Sequence, residues 1–131
     1  MAFEEDVLDV SLIAGEDLRL MQYHFVKLSA NSTAKVCTGA TDAIVGVLQN
    51  KPNSGEVARV RVYGISRIYV ATSAIPYGSL VGTDTSGHGV VRPISAPGDK
   101  GVYFGIVTDS TTTAAETNTM LCLGKRNVVT A

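Results

Sequence analysis

The chain has 131 residues, of which 45% are hydrophobic and 18% are charged, and its formal net charge is −1. Apolar residues are too plentiful, and the net charge is too small, for intrinsic disorder. A chain of this length usually forms one domain, and the lack of a basic excess argues against a nucleic-acid-binding domain.

The N-terminus is acidic. Six of the twelve Asp and Glu residues lie within the first seventeen positions, namely Glu4, Glu5, Asp6, Asp9, Glu16 and Asp17. A secretory signal needs a basic start and an apolar core, and no apolar run approaches the ~20 residues of a membrane helix. We therefore expect no membrane association, a flexible acidic arm over residues 1–10, and a single all-β domain over residues 11–131.

Helix signals are nearly absent from the rest of the chain. Short runs of β-branched and aromatic residues alternate with clusters of Gly, Pro, Asn, Asp and Ser, which is typical of a β-sandwich or barrel. The predicted strands are 8–13, 22–28, 34–37, 43–49, 56–63, 65–71, 79–82, 89–92, 101–108 and 117–123.

A weak internal repeat runs through these strands. AIVGVL at 43–48 resembles VYFGIV at 102–107, because each has a central glycine between apolar residues. Each is followed by a polar loop and then by a nine-residue strand, at 56–64 and 116–124, that opens with Glu and closes with Gly. The repeat predicts two related β-modules that share one core. Within such strands, a glycine usually marks a bulge, a bend or a close backbone approach.

The ribbon VARVRVYGISRIYV, residues 57–70, carries arginine on one parity at Arg59, Arg61 and Arg67, with Tyr63 among them. Three arginines would supply only about three phosphate contacts, and the acidic arm would repel the same ligand. Arg and Tyr are both enriched in protein interfaces, so this face is better interpreted as a protein contact. If a β-bulge lies at Gly64, the alternation of the two strand faces reverses there, and Arg67 no longer shares a face with the other arginines. Ala58, Val60 and Val62 alternate with the arginines and are expected to face the core.

No residue pattern predicts catalysis or metal binding. The two histidines, His24 and His88, are isolated in the sequence, and neither has a neighbouring nucleophile or ligand cluster. Cys37 and Cys122 lie among small and apolar residues, which favours buried free thiols over a disulfide. We therefore expect a protein that is not an enzyme, with no catalytic site, metal site or cofactor.

Several stretches together resemble the capsid decoration (cement, or head-stabilising) proteins of tailed bacteriophages. The resemblance covers most of residues 8–124 and rests on glycines and small apolar residues. It is most evident in AIPYGSLVGTDTSGHGVV, where Ile75, Gly78 and Val81 form a turn that enters a strand. The other stretches that carry it are AGEDL, FVKL, DAIVGVL, EVARVRVYG, VVRP and GVYFGIVTDS.

The resemblance implies a compact β-barrel or β-tulip-like structural protein, made in the host cytoplasm and assembled on the virion. Such a protein binds the outer surface of the mature capsid and stabilises it by bridging neighbouring capsid subunits. The implied partners are the major capsid protein and, in a homotrimer, two further copies of the chain. No direct contact with nucleic acid is expected.

Two surfaces are candidates for these contacts. The first is the N-terminal arm, through Phe3, Glu4, Glu5, Val7 and Leu8, and the second is the arginine face, through Arg59, Arg61, Tyr63 and Arg67. Deletion of residues 2–10 is expected to weaken capsid binding while the domain stays folded. The alternative function is a carbohydrate- or surface-binding β-module of a virion.

Overall fold

The computed structural model describes residues 7–39, 41–70, 75–91, 100–108 and 116–129. Within these ranges the chain forms nine strands and no helix, which confirms the all-β prediction. The strands are β1 (Leu8–Ala14), β2 (Phe25–Ala30), β3 (Thr33–Val36), β4 (Ile44–Leu48), β5 (Val57–Val70), β6 (Leu80–Thr83), β7 (Gly89–Val91), β8 (Lys100–Val107) and β9 (Glu116–Val129).

The strands close into two rings that share β5. In the first ring, the order of paired strands is β1-β3-β2-β4-β5, and β5 pairs back with β1. In the second ring, the order is β5-β7-β6-β8-β9, and β9 pairs back with β5. Closure removes the open sheet edges that otherwise invite aggregation.

The two rings have the same connectivity. In each ring the first strand pairs in parallel with the third and antiparallel with the fifth, and the remaining pairs are antiparallel. Strand β5 is the fifth strand of the first ring through its N-terminal half and the first strand of the second ring through its C-terminal half. The two predicted modules are therefore present and overlap by one strand.

The repeat extends to the register of the strand pairs. Val47 in β4 pairs with Arg61, the fifth residue after Glu56. Ile106 in β8 pairs with Leu121, the fifth residue after Glu116. In each case the β4 or β8 residue directly follows the central glycine that the sequence repeat singles out. The repeat therefore marks equivalent strand pairs, which confirms that the modules are related.

Gly46 shows why a glycine is required in β4. A Cβ atom at this position would collide with the carbonyl oxygen of Arg61 and with a methyl group of Val60. The pairing of β4 with β2 also shifts here, because Gly46 pairs with Val26 while Ile44 pairs with Lys27. The predicted close approach and irregularity are both observed.

The buried side chains form two clusters, so the prediction of one shared core was wrong in that detail. The first cluster fills the first ring and consists of Ala14, Leu18, Val26, Ala34, Leu48, Ala58 and Val60. The second joins the rings: Phe25 and Val47 of the first ring pack with Ile68 and Phe104 of the second. The aromatic side chains of Phe25 and Phe104 meet edge to face, with their centroids 5.9 Å apart. Neighbouring residues of β2 and β4 thus face different clusters, as strand alternation requires.

Most predicted strand ends lie within one residue of the observed ones, and the larger differences fall in three places. The predicted strands 56–63 and 65–71 form a single strand, because Gly64 adopts a φ of 103°, which glycine tolerates, and pairing continues through it. Strand β2 begins and ends later than the predicted 22–28, and β9 continues six residues beyond the predicted end at residue 123. Neighbouring strands, rather than local turn residues, set these limits.

The predicted arm contains part of the first strand. Strand β1 begins at Leu8, so residues 8–10 are paired with β5 and belong to the first ring. Val7 is the first residue that the structure describes. The proposed contact residues Phe3, Glu4 and Glu5 lie outside the described residues.

Candidate functional site

The outer surface of the β1–β5 ladder carries an ion-pair cluster. Asp9 lies opposite Arg61 in the ladder. The Nε of Arg61 donates to Oδ1 of Asp9 at 2.8 Å, and its Nη2 donates to Oδ2 at 3.1 Å. The Nε of Arg59 lies 3.4 Å from the same Oδ2. The acidic N-terminal region and the arginine face, predicted as alternative surfaces, therefore meet in one place.

The central pair of this cluster is largely shielded from solvent. The side chains of Arg61 and Asp9 are 18% and 19% exposed, whereas that of Arg59 is 59% exposed. The hydrogen bond from Arg61 lowers the pKa of Asp9, and this effect outweighs the opposing effect of burial. Arg61 also donates through Nη1 to the carbonyl oxygen of Ile65 at 2.8 Å. Arg61 thus stabilises the fold through these bonds, and Arg59 is the cation of the cluster that is exposed to solvent.

Exposed apolar pairs flank the ion pairs at both ends. Ile13 and Val57 lie opposite each other at one end, and their side chains are exposed. Leu8 and Tyr63 lie opposite each other at the other end and are also exposed. We call this surface the β1–β5 face; it consists of Leu8, Asp9, Ser11, Ile13, Val57, Arg59, Arg61 and Tyr63. Apolar side chains grouped around an exposed arginine are typical of protein contact sites.

Arg67 belongs to a different part of the surface. Buried and more exposed residues alternate along the whole of β5, so Arg67 keeps the parity of Arg59 and Arg61. It pairs with Thr119 of β9, however, and lies in the second ring. Its guanidinium carbon is 5.9 Å from the centre of the Tyr23 ring, within the range of a cation–π contact. Of the predicted contact residues, the structure thus groups Leu8, Arg59, Arg61 and Tyr63, next to Val7, and separates Arg67 from them.

A second site is a cleft of about 590 Å³ that the sequence does not predict. Three aromatic side chains meet in this cleft. His24 stacks on Tyr69 with centroids 5.0 Å apart and planes 12° apart. The His88 ring lies 4.9 Å from the His24 ring and 5.1 Å from the Tyr69 ring. The cleft is lined by Arg19, Leu20, Met21, Gln22, His24, Lys51, Tyr69, Ser86 and His88.

The turn between β6 and β7 brings His88 into the cleft. Asp84 organises this turn, because its Oδ1 accepts from the backbone N–H groups of Ser86 and His88 at 2.8 and 2.9 Å. The other oxygen, Oδ2, lies 3.2 Å from Nδ1 of His88. Gly87 has a φ of 78°, and its carbonyl oxygen accepts a hydrogen bond from the backbone N–H of Phe25. A Cβ atom at Gly87 would collide with atoms of the first ring. The cleft therefore lies where the β6–β7 turn presses against the first ring.

His24 is a neutral member of this cluster. It is only 6% exposed, and burial lowers its pKa below the ordinary value of 6.5. Its Nδ1 lies 3.1 Å from the carbonyl oxygen of Gln22. Because a carbonyl only accepts, Nδ1 carries the proton in the neutral ring, and Nε2 is left as an acceptor.

Sequence reasoning interpreted His24 and His88 as isolated, and 64 positions do separate them. No spacing rule links a residue before β2 with one in the β6–β7 turn. The one local signal is the Ser-Gly-His-Gly stretch, because Gly87 permits the close approach of the turn to the first ring. The two elements come together only when the strands close into rings, which depends on pairing between distant parts of the chain.

Other chemistry is limited in the part of the chain that the structure describes. No group of three or more His, Cys, Asp or Glu there could hold a metal ion. Cys37 and Cys122 are buried free thiols, as predicted, and burial raises the pKa of each to about 12. Both are therefore protonated and unreactive at neutral pH. Nor does any helix among the described residues have the length and apolar character needed to cross a membrane.

Comparison with known proteins gives a structural match only. No protein-family model and no curated protein matches the sequence. The fold is similar to the N base of head fiber gp8.5 of bacteriophage phi29, seen in a crystal structure, with a TM-score of 0.62 and 16% sequence identity. The match covers 89% of this chain and 94% of that chain. At this identity the likeness shows a shared fold, extending over nearly all of both chains.

Proposed function

We propose that the chain is a structural protein of a bacteriophage virion that binds the outer surface of the capsid. The observation that carries the proposal is the fold likeness to a phage head fiber base over 89% of the chain. The sequence resemblance to capsid decoration proteins points independently to the same class. A small domain of closed rings suits this role, because closure pairs the sheet edges within the described part of the chain.

The β1–β5 face is the surface that we assign to the contact. Its exposed pairs, Ile13 with Val57 and Leu8 with Tyr63, supply apolar area at both ends. Arg59 supplies a charge that can pair with a carboxylate of the partner. Because Asp9 already neutralises one arginine, the face carries an excess of one positive charge. That excess is too small for a nucleic-acid groove, whose affinity grows with each phosphate neutralised.

The proposed mode of action is bridging. A domain that contacts two neighbouring capsid subunits adds buried area across the seam between them. A homotrimer would engage several subunits at once, so individually weak contacts would act at high effective concentration. Binding in this mode needs no catalysis, and we propose that the protein is not an enzyme.

The test is the location and mass of the protein. We expect it in purified particles of the virus that encodes it, and we expect gold-labelled antibodies to reach it on intact particles. Sedimentation of the free protein is expected to give the mass of a trimer. Protein found only in the infected-cell lysate, with none on particles, would overturn the virion assignment. A monomer that still decorates particles would overturn the trimer alone.

A further inference from the structure

We propose that the cleft between the two rings is a binding site for a negatively charged saccharide. This function is separate from capsid binding, because none of the cleft residues belongs to the β1–β5 face. The cleft volume of about 590 Å³ falls within the ~300–1,000 Å³ of small-molecule sites. It can therefore hold a short oligosaccharide.

The aromatic wall suits a sugar ring. A pyranose presents C–H groups on one face and hydroxyls around its edge. Tyr69 and His88 line the cleft at 43° to each other, and their electron-rich faces attract such C–H groups. His24 stacks against Tyr69, so the wall is built before any ligand arrives. A preformed wall reduces the ordering cost of binding.

Polar groups stand beside this wall. Gln22, Ser86 and the two histidines line the cleft with the aromatic ring of Tyr69. The acceptor Nε2 of His24 follows from its hydrogen bond to Gln22 through Nδ1. A few convergent polar groups in a ring-lined cleft give hydroxyl-bearing ligands their orientation. A purely apolar ligand would leave these groups without partners, which is costly.

The charge of the lining favours an acidic ligand. Among the residues that the structure describes, Arg19 and Lys51 line the cleft, and no Asp or Glu does. Arg19 is already paired with Asp17 at 2.7 Å. Lys51 forms no ion pair with any described residue and is exposed. We therefore assign Lys51 the contact with the carboxylate or phosphate group of the saccharide.

The first experiment is an array that carries neutral oligosaccharides, uronic-acid oligosaccharides and phosphorylated oligosaccharides. We expect signal on acidic sugars and little on their neutral counterparts, and the two acidic arms distinguish a carboxylate from a phosphate ligand. Soluble poly-glutamate is the control for simple charge attraction and is expected not to compete. Signal on neutral sugars alone, no signal on any acidic sugar, or full competition by poly-glutamate would each overturn the proposal.

Variants then locate the site. Lys51→Glu is expected to weaken binding of the strongest acidic sugar by tenfold or more, measured by calorimetry, because a charged hydrogen bond becomes a repulsion. Lys35→Glu makes the same charge change outside the cleft and is expected to retain binding. Tyr69→Phe keeps the ring and is expected to bind, whereas Tyr69→Ala is not. Equal losses in the two lysine variants, with melting temperatures unchanged, would contradict the assignment.

Discussion

Asp9 in β1 and Arg61 in β5 are joined by two hydrogen bonds, although 52 positions separate them in the chain. This contact fixes the start of the first strand against the strand that both rings share. It also uses the acidic region to neutralise part of the basic ribbon. The two surfaces that the sequence presents as alternatives are thus one surface, with Arg59 as its exposed cation.

The first prediction concerns this pair. Asp9→Ala leaves the partly buried guanidinium of Arg61 without its carboxylate and is expected to lower the free energy of unfolding by roughly 1–3 kcal/mol. Urea denaturation measures the loss. Asp17→Ala is the control, because Asp17 and Arg19 form an exposed pair that contributes little. Equal stability losses in the two variants would show that the Asp9 pair is only a surface contact.

The second prediction concerns the N-terminal arm. Deletion of residues 2–10 removes three residues of β1, Asp9 among them, so we expect it to destabilise the first ring. Deletion of residues 2–6 stops short of β1 and is expected to leave the melting temperature unchanged. Capsid binding by the shorter deletion then isolates the contribution of the arm. Equal melting temperatures of the two truncated proteins would refute the role assigned to residues 8–10.

The third prediction concerns Gly46. Gly46→Ala forces a methyl group against the backbone of Arg61 and is expected to lower the free energy of unfolding by roughly 1–3 kcal/mol. Gly55→Ala is the comparison, because its Cβ meets open space and only its φ of 84° opposes the change. We expect a smaller loss there, about 1 kcal/mol. The reverse order in thermal denaturation would contradict the close approach of β4 to β5.

The fourth prediction concerns pH and His24. Burial lowers its pKa, so below its ordinary value of 6.5 the unfolded chain takes up a proton that the folded protein refuses. Stability is therefore expected to fall as the pH drops from 6.5 towards the lowered pKa, and to be constant with respect to this group above 6.5. The neighbouring His88 disfavours the charge, while Asp84 favours it.

Urea unfolding at several pH values between 5 and 7.5 measures this dependence, and His24→Gln is expected to reduce its slope. The variant replaces a titrating ring by a neutral amide. An unchanged slope in His24→Gln would show that other groups cause the loss of stability.

The sequence predicts where the strands lie and that the two modules are related, but it does not predict that the strands close into two rings. The alternation in residues 57–70 and the glycine repeat at Gly46 and Gly105 are local patterns, and the structure confirms both. The sharing of β5 by two rings was not predicted, since Gly64 suggested a break between two strands. Whether a glycine ends a strand depends on the neighbouring strands, and these come from distant parts of the chain.

The candidate sites show the same limit. The sequence identifies Arg59, Arg61 and Tyr63 as members of one exposed parity, which the structure confirms. It does not pair Arg61 with Asp9, and it does not bring His24 to His88, because both contacts depend on ring closure. Local periodicity reports which face of a strand a residue occupies, but not what lies opposite that face.

The central claim is that the β1–β5 face binds the capsid, and the most direct test is a titration of mature capsids that lack the protein. Val57→Asp places a charge in this face, whereas Leu28→Asp places the same charge on β2 at a similar exposure of 54%, compared with 60% for Val57. Both variants are expected to stay folded. We predict that Val57→Asp weakens capsid binding by roughly tenfold and that Leu28→Asp leaves it unchanged. Unchanged affinity of Val57→Asp, or an equal loss in both variants, would contradict the claim.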